Sequence, residues 1–226
     1  MRTRQEIKAS AREAMGEQRG TAILLILIYL LAVAASTALD TIALNMFGRT
    51  AYHIVFWAGM LVLYVIMINL MGEFIKIFKR EEANPLALFT ELRTNFLRKL
   101  GGQLWMYLWL VLWTMLLIIP GIIKFMSYYF TYNILADCPN VRATDAIKIS
   151  MRITQGNKME IFIFILSWIG WMILSAFTFG ILYVVYVGPY WATSDAGFYL
   201  EMRDEALAKG RITLEDLGFE ANPAAN

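Results

Sequence analysis

The chain has 226 residues, a net charge of +2 and one cysteine, and 59% of its residues are hydrophobic while 17% are charged. Soluble domains average about 45–50% apolar and about 25% charged residues, and the mean hydropathy here is +0.55. This composition excludes an ordinary soluble domain, and the small net charge argues against nucleic-acid binding. A single cysteine, Cys138, excludes an intrachain disulfide or a multi-cysteine metal motif.

The N-terminal apolar stretch at residues 21–31 has the length of a signal-peptide core. A segment with helical periodicity that contains Glu6, Glu13 and Glu17 precedes it. Signal peptides instead begin with a short positively charged segment. We therefore expect this stretch to be a first membrane crossing and not a cleaved signal.

Four long segments contain no acidic or basic residue, at 20–39, 50–72, 100–123 and 161–194. Each matches or exceeds the roughly 20 residues that cross a bilayer as a helix. As a single helix, the segment 161–194 would be about 51 Å long, whereas the bilayer core is about 30 Å thick. This length predicts two crossings, with a turn at Thr178-Phe179-Gly180. Pro120-Gly121 predicts a second tight turn within residues 103–137.

The positive charges predict six crossings with both termini in the cytoplasm. The weakest crossing is residues 121–136, because only 12 residues separate Lys124 from Asp137. With this crossing, 18 of the 20 lysines and arginines lie inside, and Arg49 and Lys124 lie outside; without it, the division is 11 to 9. The bias of positive charge toward the cytoplasm favours six crossings.

A ten-residue pattern is repeated along the chain. IKASAREAMG at residues 7–16 returns as IKISMRITQG at residues 147–156 with five identities, and LRTNFLRKLG at residues 92–101 is a looser copy. Each copy precedes a predicted hairpin and combines an apolar face with basic residues, which is typical of helices in the membrane interface. Any amphipathic helix ahead of a span can look similar, so true repetition is a hypothesis.

The predicted apolar face of the first copy consists of Ile7, Ala11, Ala14 and Met15, and that of the last copy consists of Ala143, Ile147, Met151 and Thr154. The candidate ligands for lipid headgroups are Lys8, Arg12, Arg93, Lys148 and Arg152. The final glycine of each copy, at 16, 101 and 156, is predicted to end its helix. Asn84-Pro85 predicts the start of the middle helix, with Asn as the cap.

The expected fold is all-α and polytopic. About six transmembrane helices form three hairpins, each preceded by an amphipathic interfacial helix on the cytoplasmic side. A single membrane domain would cover residues 1–200, with repeat units at about 1–72, 84–137 and 142–200, and residues 201–226 would form a polar cytoplasmic tail.

Several short motifs in the second half of the chain occur together. They are IIPGIIKFMSYYFTYNILADCP at residues 118–139, AIKIS and GNK within 146–158, and LSWIGW, TFGIL and PYWATSDAGFY up to Tyr199. The combination resembles the bacterial integral-membrane family known as domain of unknown function 975. The resemblance implies a polytopic protein of the bacterial cell membrane and brings no established activity, substrate or catalytic residue.

A catalytic site needs nucleophilic, acid–base or metal-ligating groups in mutual reach, and the sequence offers no such set. His53 is the one histidine, and no nucleophile elbow, zinc-protease motif or phosphate-binding loop occurs. We expect no catalytic residue, no metal and no cofactor. Trp105, Trp109 and Trp113 are better explained by a lipid-facing or packing surface than by a ligand cage.

Two features of the predicted last span are candidate sites for a ligand or ion. Pro189, after Gly188, has no N–H, which leaves the Val185 carbonyl as a free acceptor. Asp195 lies near the cytoplasmic end, where an ionised carboxylate is costly without a partner. A kink that serves packing alone, or a hydrated aspartate, would explain the same residues. Asn69 and Asn133 are predicted to hydrogen-bond between helices.

Two classes of function fit these features. The first is a non-enzymatic membrane protein that organises lipid or assists partner proteins of the envelope through its interfacial helices. The alternative is a small transporter or channel that uses the Gly188-Pro189 break and Asp195. The expected partners are membrane lipids, other membrane proteins or a second copy of the chain, and not nucleic acid.

Overall fold

The computed structural model describes residues 2–219, and this part of the chain is all-α. The helices are α1 (Arg4–Glu17), α2 (Arg19–Phe47), α3 (Arg49–Phe78), α4 (Ala87–Thr90), α5 (Leu92–Leu116), α6 (Ile118–Tyr128), α7 (Thr131–Asp137), α8 (Ala143–Ile153), α9 (Lys158–Leu166), α10 (Ile169–Phe177) and α11 (Gly188–Ala208). A π-helix at Tyr183–Val187 leads directly into α11.

The two longest helices, α2 and α3, form an antiparallel pair joined at Gly48, whose φ of +83° suits glycine. They have 29 and 30 residues. Together with Lys158–Phe177, which contains α9 and α10, they are the three helical segments of residues 2–219 that are long and apolar enough to cross a membrane. The fold is therefore compatible with a membrane protein.

The structure confirms one of the two predicted turns and corrects the other. The chain reverses after α10, where Phe179 and Gly180 have φ of +50° and +81°. The predicted turn at Pro120-Gly121 is wrong, because the chain reverses at the extended residue Leu117. Pro120 lies instead in the first turn of α6, where a missing N–H removes no helical hydrogen bond.

Gly121 has a packing role instead. A Cβ atom at this position would lie 2.9 Å from the Thr114 Cα atom of α5. The glycine therefore allows α6 to pack directly against α5.

The predicted apolar face of α1 is confirmed, but protein covers it. Ile7, Ala11, Ala14 and Met15 are the buried residues of this helix, which packs against α11 and α3. Its N-terminal end forms ion pairs with α11 and α9, through Arg2–Glu201 and Arg4–Glu160. Its C-terminal end pairs with Arg80 through Glu13 and Glu17. The helix therefore lies along α11, and its apolar face belongs to the core.

The last copy of the repeat forms α8, and half of its predicted face is buried. Ile147 and Thr154 are buried as predicted, while Ala143 and Met151 are only partly buried. Ala146, Ile149, Ser150 and Ile153 are buried as well, because α8 contacts α5, α6, α7 and α11 and several helices cover it.

The middle copy does not form a separate helix, which corrects the expectation of three equivalent units. It lies inside α5, which continues through Gly101, and a kink at Asn95 (φ −137°, ψ 27°) marks the copy. Asn84 Oδ1 accepts a hydrogen bond from the Leu86 amide at 3.0 Å, ahead of the four-residue α4. Gly16 and Gly101 are helical, and only Gly156, with φ of +83°, ends a helix as predicted.

The core lies where α1, α3, α7, α8, α9 and α11 meet. Phe164 and Phe198 stack there with ring centroids 4.6 Å apart. α11 continues past the predicted domain boundary at residue 200 to Ala208, and Ile212 and Leu217 are buried. The remainder of the predicted tail, residues 220–226, lies outside the described residues.

We expect Gly121→Ala to destabilise the protein by about 1–3 kcal/mol, because the new methyl group would overlap the α5 backbone. Gly170→Ala is the matched control, since Gly170 is also helical and a Cβ atom there meets no atom within 4 Å. Thermal unfolding in detergent measures the stability of both variants. A Gly121→Ala protein as stable as the control would contradict the close packing of α5 and α6.

Candidate functional site

Asp195 of α11 is fully buried and accepts three hydrogen bonds from side chains on the opposite side of the core. The hydroxyl groups of Tyr129 and Tyr132 donate at 2.7 and 3.0 Å, and the Asn133 amide donates at 3.2 Å. The predicted interhelical bond of Asn133 is confirmed. These three donors stabilise the negative charge of the carboxylate.

The chain between α6 and α7 positions these donors. Tyr129, Tyr132 and Asn133 are spaced i, i+3 and i+4, which places them on one side of a helix. Ser150 of α8 holds the junction, because its Oγ accepts from the Phe130 amide at 3.2 Å and donates to the Ser127 carbonyl at 2.9 Å. The serine of the repeated IKxS pattern in α8 is therefore part of the support of the site.

Every hydrogen-bond donor to Asp195 among the described residues is electrically neutral. Asp137, at the C-terminal end of α7, has a different environment. Its carboxylate pairs with Lys79 at 2.9 Å and Arg203 at 2.7 Å. Cations therefore compensate the carboxylate of Asp137, whereas neutral groups hold that of Asp195.

A cavity of about 310 Å³ lies beside Asp195. Its lining residues are Tyr29, Tyr64, Met67, Ile68, Gln103, Met106, Tyr107, Leu110, Phe125, Tyr128, Tyr129, Tyr132 and Trp191. Tyr129 and Tyr132 therefore contact Asp195 and also line the cavity. Gln103 is 6% exposed, and its Oε1 atom has no hydrogen-bond donor among the described residues.

The irregular backbone predicted in the last span is found, but in a different form. Tyr183–Val187 is a π-helix, and the Gly188 amide donates to the Tyr183 carbonyl. Pro189 then occupies the first turn of α11, where proline is tolerated. Neither Val185 nor Pro189 lines the cavity beside Asp195, so the structure does not join the three predicted ligand candidates into one site.

The basic residues proposed as lipid ligands have different surroundings. Lys8 donates to Ser167 Oγ at 2.6 Å, and its ammonium lies 4.3 Å from the Trp168 ring centroid. The Arg12 guanidinium lies 5.2 Å from the Tyr190 ring centroid. Burial, with a smaller effect from Arg4, lowers the pKa of Lys8. These two side chains of α1 therefore contact the protein itself.

The remaining basic candidates lie nearer the surface. The side chain of Lys148 is 62% exposed and pairs with Asp145 at 2.9 Å, whereas Arg152 pairs with Asp216 at 3.0 Å. Arg93 is exposed. The partners of Lys148 and Arg152 therefore differ from those of Lys8 and Arg12.

A second buried polar cluster joins α3 to α4 and α5. The Asn69 amide donates to the Leu88 carbonyl at 3.0 Å, and its Oδ1 accepts from Lys99, which also pairs with Glu91 at 2.9 Å. The predicted interhelical role of Asn69 is confirmed. Because each charge in this cluster has a partner, the arrangement is structural.

The family described as protein of unknown function (DUF975) matches residues 115–206. The match supports the assignment of this segment to the DUF975 family. The match confirms the resemblance found in the sequence motifs. The matched segment contains the whole polar cluster around Asp195, with Tyr129, Tyr132 and Asn133. No curated protein and no solved structure matches the chain.

Sequence reasoning missed the tyrosine lining of the cavity. The DUF975 segment did contain a usable signal, since MSYYFTYN places Tyr129, Tyr132 and Asn133 on one helical side. Tyr29, Tyr64 and Tyr107 come from three other helices, and only the tertiary structure brings them together. The tryptophan stripe is not part of the lining, because Trp105 and Trp109 are exposed on α5.

We expect Lys8→Gln to lower the stability by roughly 1–2 kcal/mol, because the ammonium loses its contact with the Trp168 ring and its bond to Ser167. Lys148→Gln is the control at an exposed position of the last repeat. Thermal unfolding in uncharged detergent separates the two variants. Equal stability of both would contradict a packing role for Lys8.

Proposed function

We propose that this chain is a multi-pass protein of the cell membrane with six helical crossings and both termini in the cytoplasm. Besides α2, α3 and Lys158–Phe177, the crossings would be α5, the pair α6 and α7, and the helix from residue 181 to about 199. The loops that carry most basic residues would lie on the cytoplasmic side, as the positive-charge bias requires.

Two features of the structure support this arrangement. Ion pairs join the segment before α1 to α11 through Arg2–Glu201, and the segment after α11 to α8 through Arg152–Asp216. Large apolar side chains are exposed at the three proposed outer turns, as at Phe47, Leu117 and Phe179. Exposure of apolar side chains on long helices is expected for surfaces that face lipid.

The topology is tested with single cysteines introduced at Thr50, Leu117 and Lys148. In intact cells, a membrane-impermeant maleimide should label positions 50 and 117, and should label position 148 only after permeabilisation. Cys138 should contribute little background, because it is buried and burial raises the pKa of its thiol to about 11.

Labelling of position 148 in intact cells would contradict the proposed orientation. Failure of position 117 to react, while position 50 reacts, would show that the α5–α6 hairpin enters the bilayer without crossing it. That result would remove two of the six crossings and leave the locations of the termini unchanged.

Within this membrane domain we propose a non-enzymatic role in binding a small molecule or lipid, as a small transporter or a membrane receptor would. One observation carries the proposal: a fully buried carboxylate, Asp195, is hydrogen-bonded to two tyrosines that line a cavity. Ionisable groups at membrane depth usually mark binding sites or transport pathways. The cavity has the size and apolar lining typical of small-ligand sites.

A lipid-organising or partner-binding role is the second candidate. It is weakened for α1, whose basic side chains contact the protein, but one surface favours it. Leu86, Phe89 and Leu97 are exposed beside the exposed Arg93 at the start of α5. Apolar and basic side chains in this combination suit the interface between headgroups and acyl chains.

The binding role is tested by filling the cavity. Leu110→Trp adds volume to the cavity wall, and Leu112→Trp adds the same volume on the outer face of the same helix, where Leu112 is exposed. After purification in native lipid, mass spectrometry should find a small molecule or lipid that the wild type and Leu112→Trp retain and Leu110→Trp loses. Equal retention by both variants would refute binding in this cavity.

A further inference from the structure

The walls of the cavity beside Asp195 are unusually aromatic. Tyrosine rings from α2, α3, α5, α6 and α7 face it, together with Trp191 of α11. The rings are not parallel: Tyr64 and Tyr107 are inclined at 50° with centroids 5.4 Å apart, and Tyr129 and Tyr132 at 67° with centroids 6.3 Å apart. Such walls can present several ring faces to one bound group.

Three polar oxygen atoms at the cavity can act as acceptors. Tyr129 and Tyr132 donate their hydroxyl protons to Asp195, so these protons are not available to a ligand. Gln103 Oε1 is buried without a donor among the described residues. At these three positions the cavity offers lone pairs beside aromatic faces, a combination that suits a ligand that is a donor or a cation.

The charge balance points the same way. Asp195 is buried without a bonded lysine or arginine in the described chain, and its charge lies one side chain away from the cavity. An anionic ligand would be repelled by this charge in a medium of low dielectric constant. A cation in the cavity would be attracted by the carboxylate and by the negative faces of the tyrosine rings.

We propose that the cavity binds an organic ammonium cation, with Asp195 as its counter-charge and the tyrosines as an aromatic cage. This inference rests on the proposed binding role of the cavity. The ammonium group can belong to a free amphiphilic amine or to a choline-type lipid headgroup, because both present the same chemistry to the cage. Quaternary ammonium is favoured over a metal ion because it is weakly hydrated and needs no shell of oxygen ligands.

The test measures binding of benzyltrimethylammonium and of its neutral isostere, neopentylbenzene, to the full chain in maltoside micelles. We expect the wild type to bind the cation at least about tenfold more tightly than the isostere. Asp195→Asn should reduce cation affinity by about tenfold or more, since it keeps the shape and removes the charge. Asp204→Asn removes an exposed carboxylate from the same helix and should leave the affinity unchanged.

A second pair of variants keeps the test valid if Asp195→Asn does not fold. Tyr107→Leu removes one aromatic face of the cage far from Asp195 and should weaken cation binding by about 2- to 30-fold, the range of a cation–π contact. Tyr107→Phe retains the ring and should bind nearly as well as the wild type. Equal losses in both Tyr107 variants would refute an aromatic cage.

Phosphatidylcholine added to the micelles distinguishes the source of the ammonium group. Displacement of the probe by this lipid supports a lipid headgroup, and lack of displacement supports a free amine. Equal affinity of the wild type for the cation and the isostere would overturn the cation proposal while the binding role stands. No binding of the cation by a folded wild-type protein would overturn it as well.

Discussion

The buried carboxylate of Asp195 determines how the second half of the chain is assembled. A carboxylate removed from water costs several kcal/mol unless it receives hydrogen bonds. Tyr129, Tyr132 and Asn133 supply them from the α6–α7 junction, so this junction has to lie against α11. Ser150 in turn bonds the backbone of the junction to α8. One buried charge thus fixes four helices relative to one another.

The short helix α7 is attached to α11 at both ends. Near its start, its tyrosine and asparagine side chains bind Asp195. At its end, Asp137 accepts from Tyr199 at 3.1 Å and Arg203 at 2.7 Å. Lys79, at the end of α3, forms an ion pair with the same carboxylate. The side of the cavity formed by α7 and α11 is therefore held by directional bonds. Arg98 of α5 also donates to the Leu135 carbonyl of α7 at 2.6 Å, whereas the buried residues of α2 are mainly apolar.

The sequence predicted the helical class, the long apolar helices, the turn after α10 and the apolar face of α1, because charge-free length and helical periodicity are local properties. It failed where tertiary packing decides the outcome. Leu117 replaces Pro120-Gly121 as the turn because Gly121 is needed where α6 contacts α5. α8 buries a wider face than predicted because it contacts four helices. Asp195 was found from its isolation in an apolar segment, but its tyrosine partners were not, since they lie 66 and 63 residues away from it in sequence.

The buried carboxylates differ in whether cations or neutral groups bind them, and this difference bears on the function of the site. Glu73 pairs with Lys76 at 2.6 Å, and Asp137 pairs with both Lys79 and Arg203. The fold is thus able to place a lysine or arginine beside a buried acid. At Asp195 it places two phenols and an amide, which stabilise a negative charge without neutralising it. A lysine or arginine bonded to Asp195 would have neutralised its charge, and the carboxylate could then no longer attract a cationic ligand. The neutral donors instead hold the carboxylate in place without compensating its charge, which can attract a cation in the cavity.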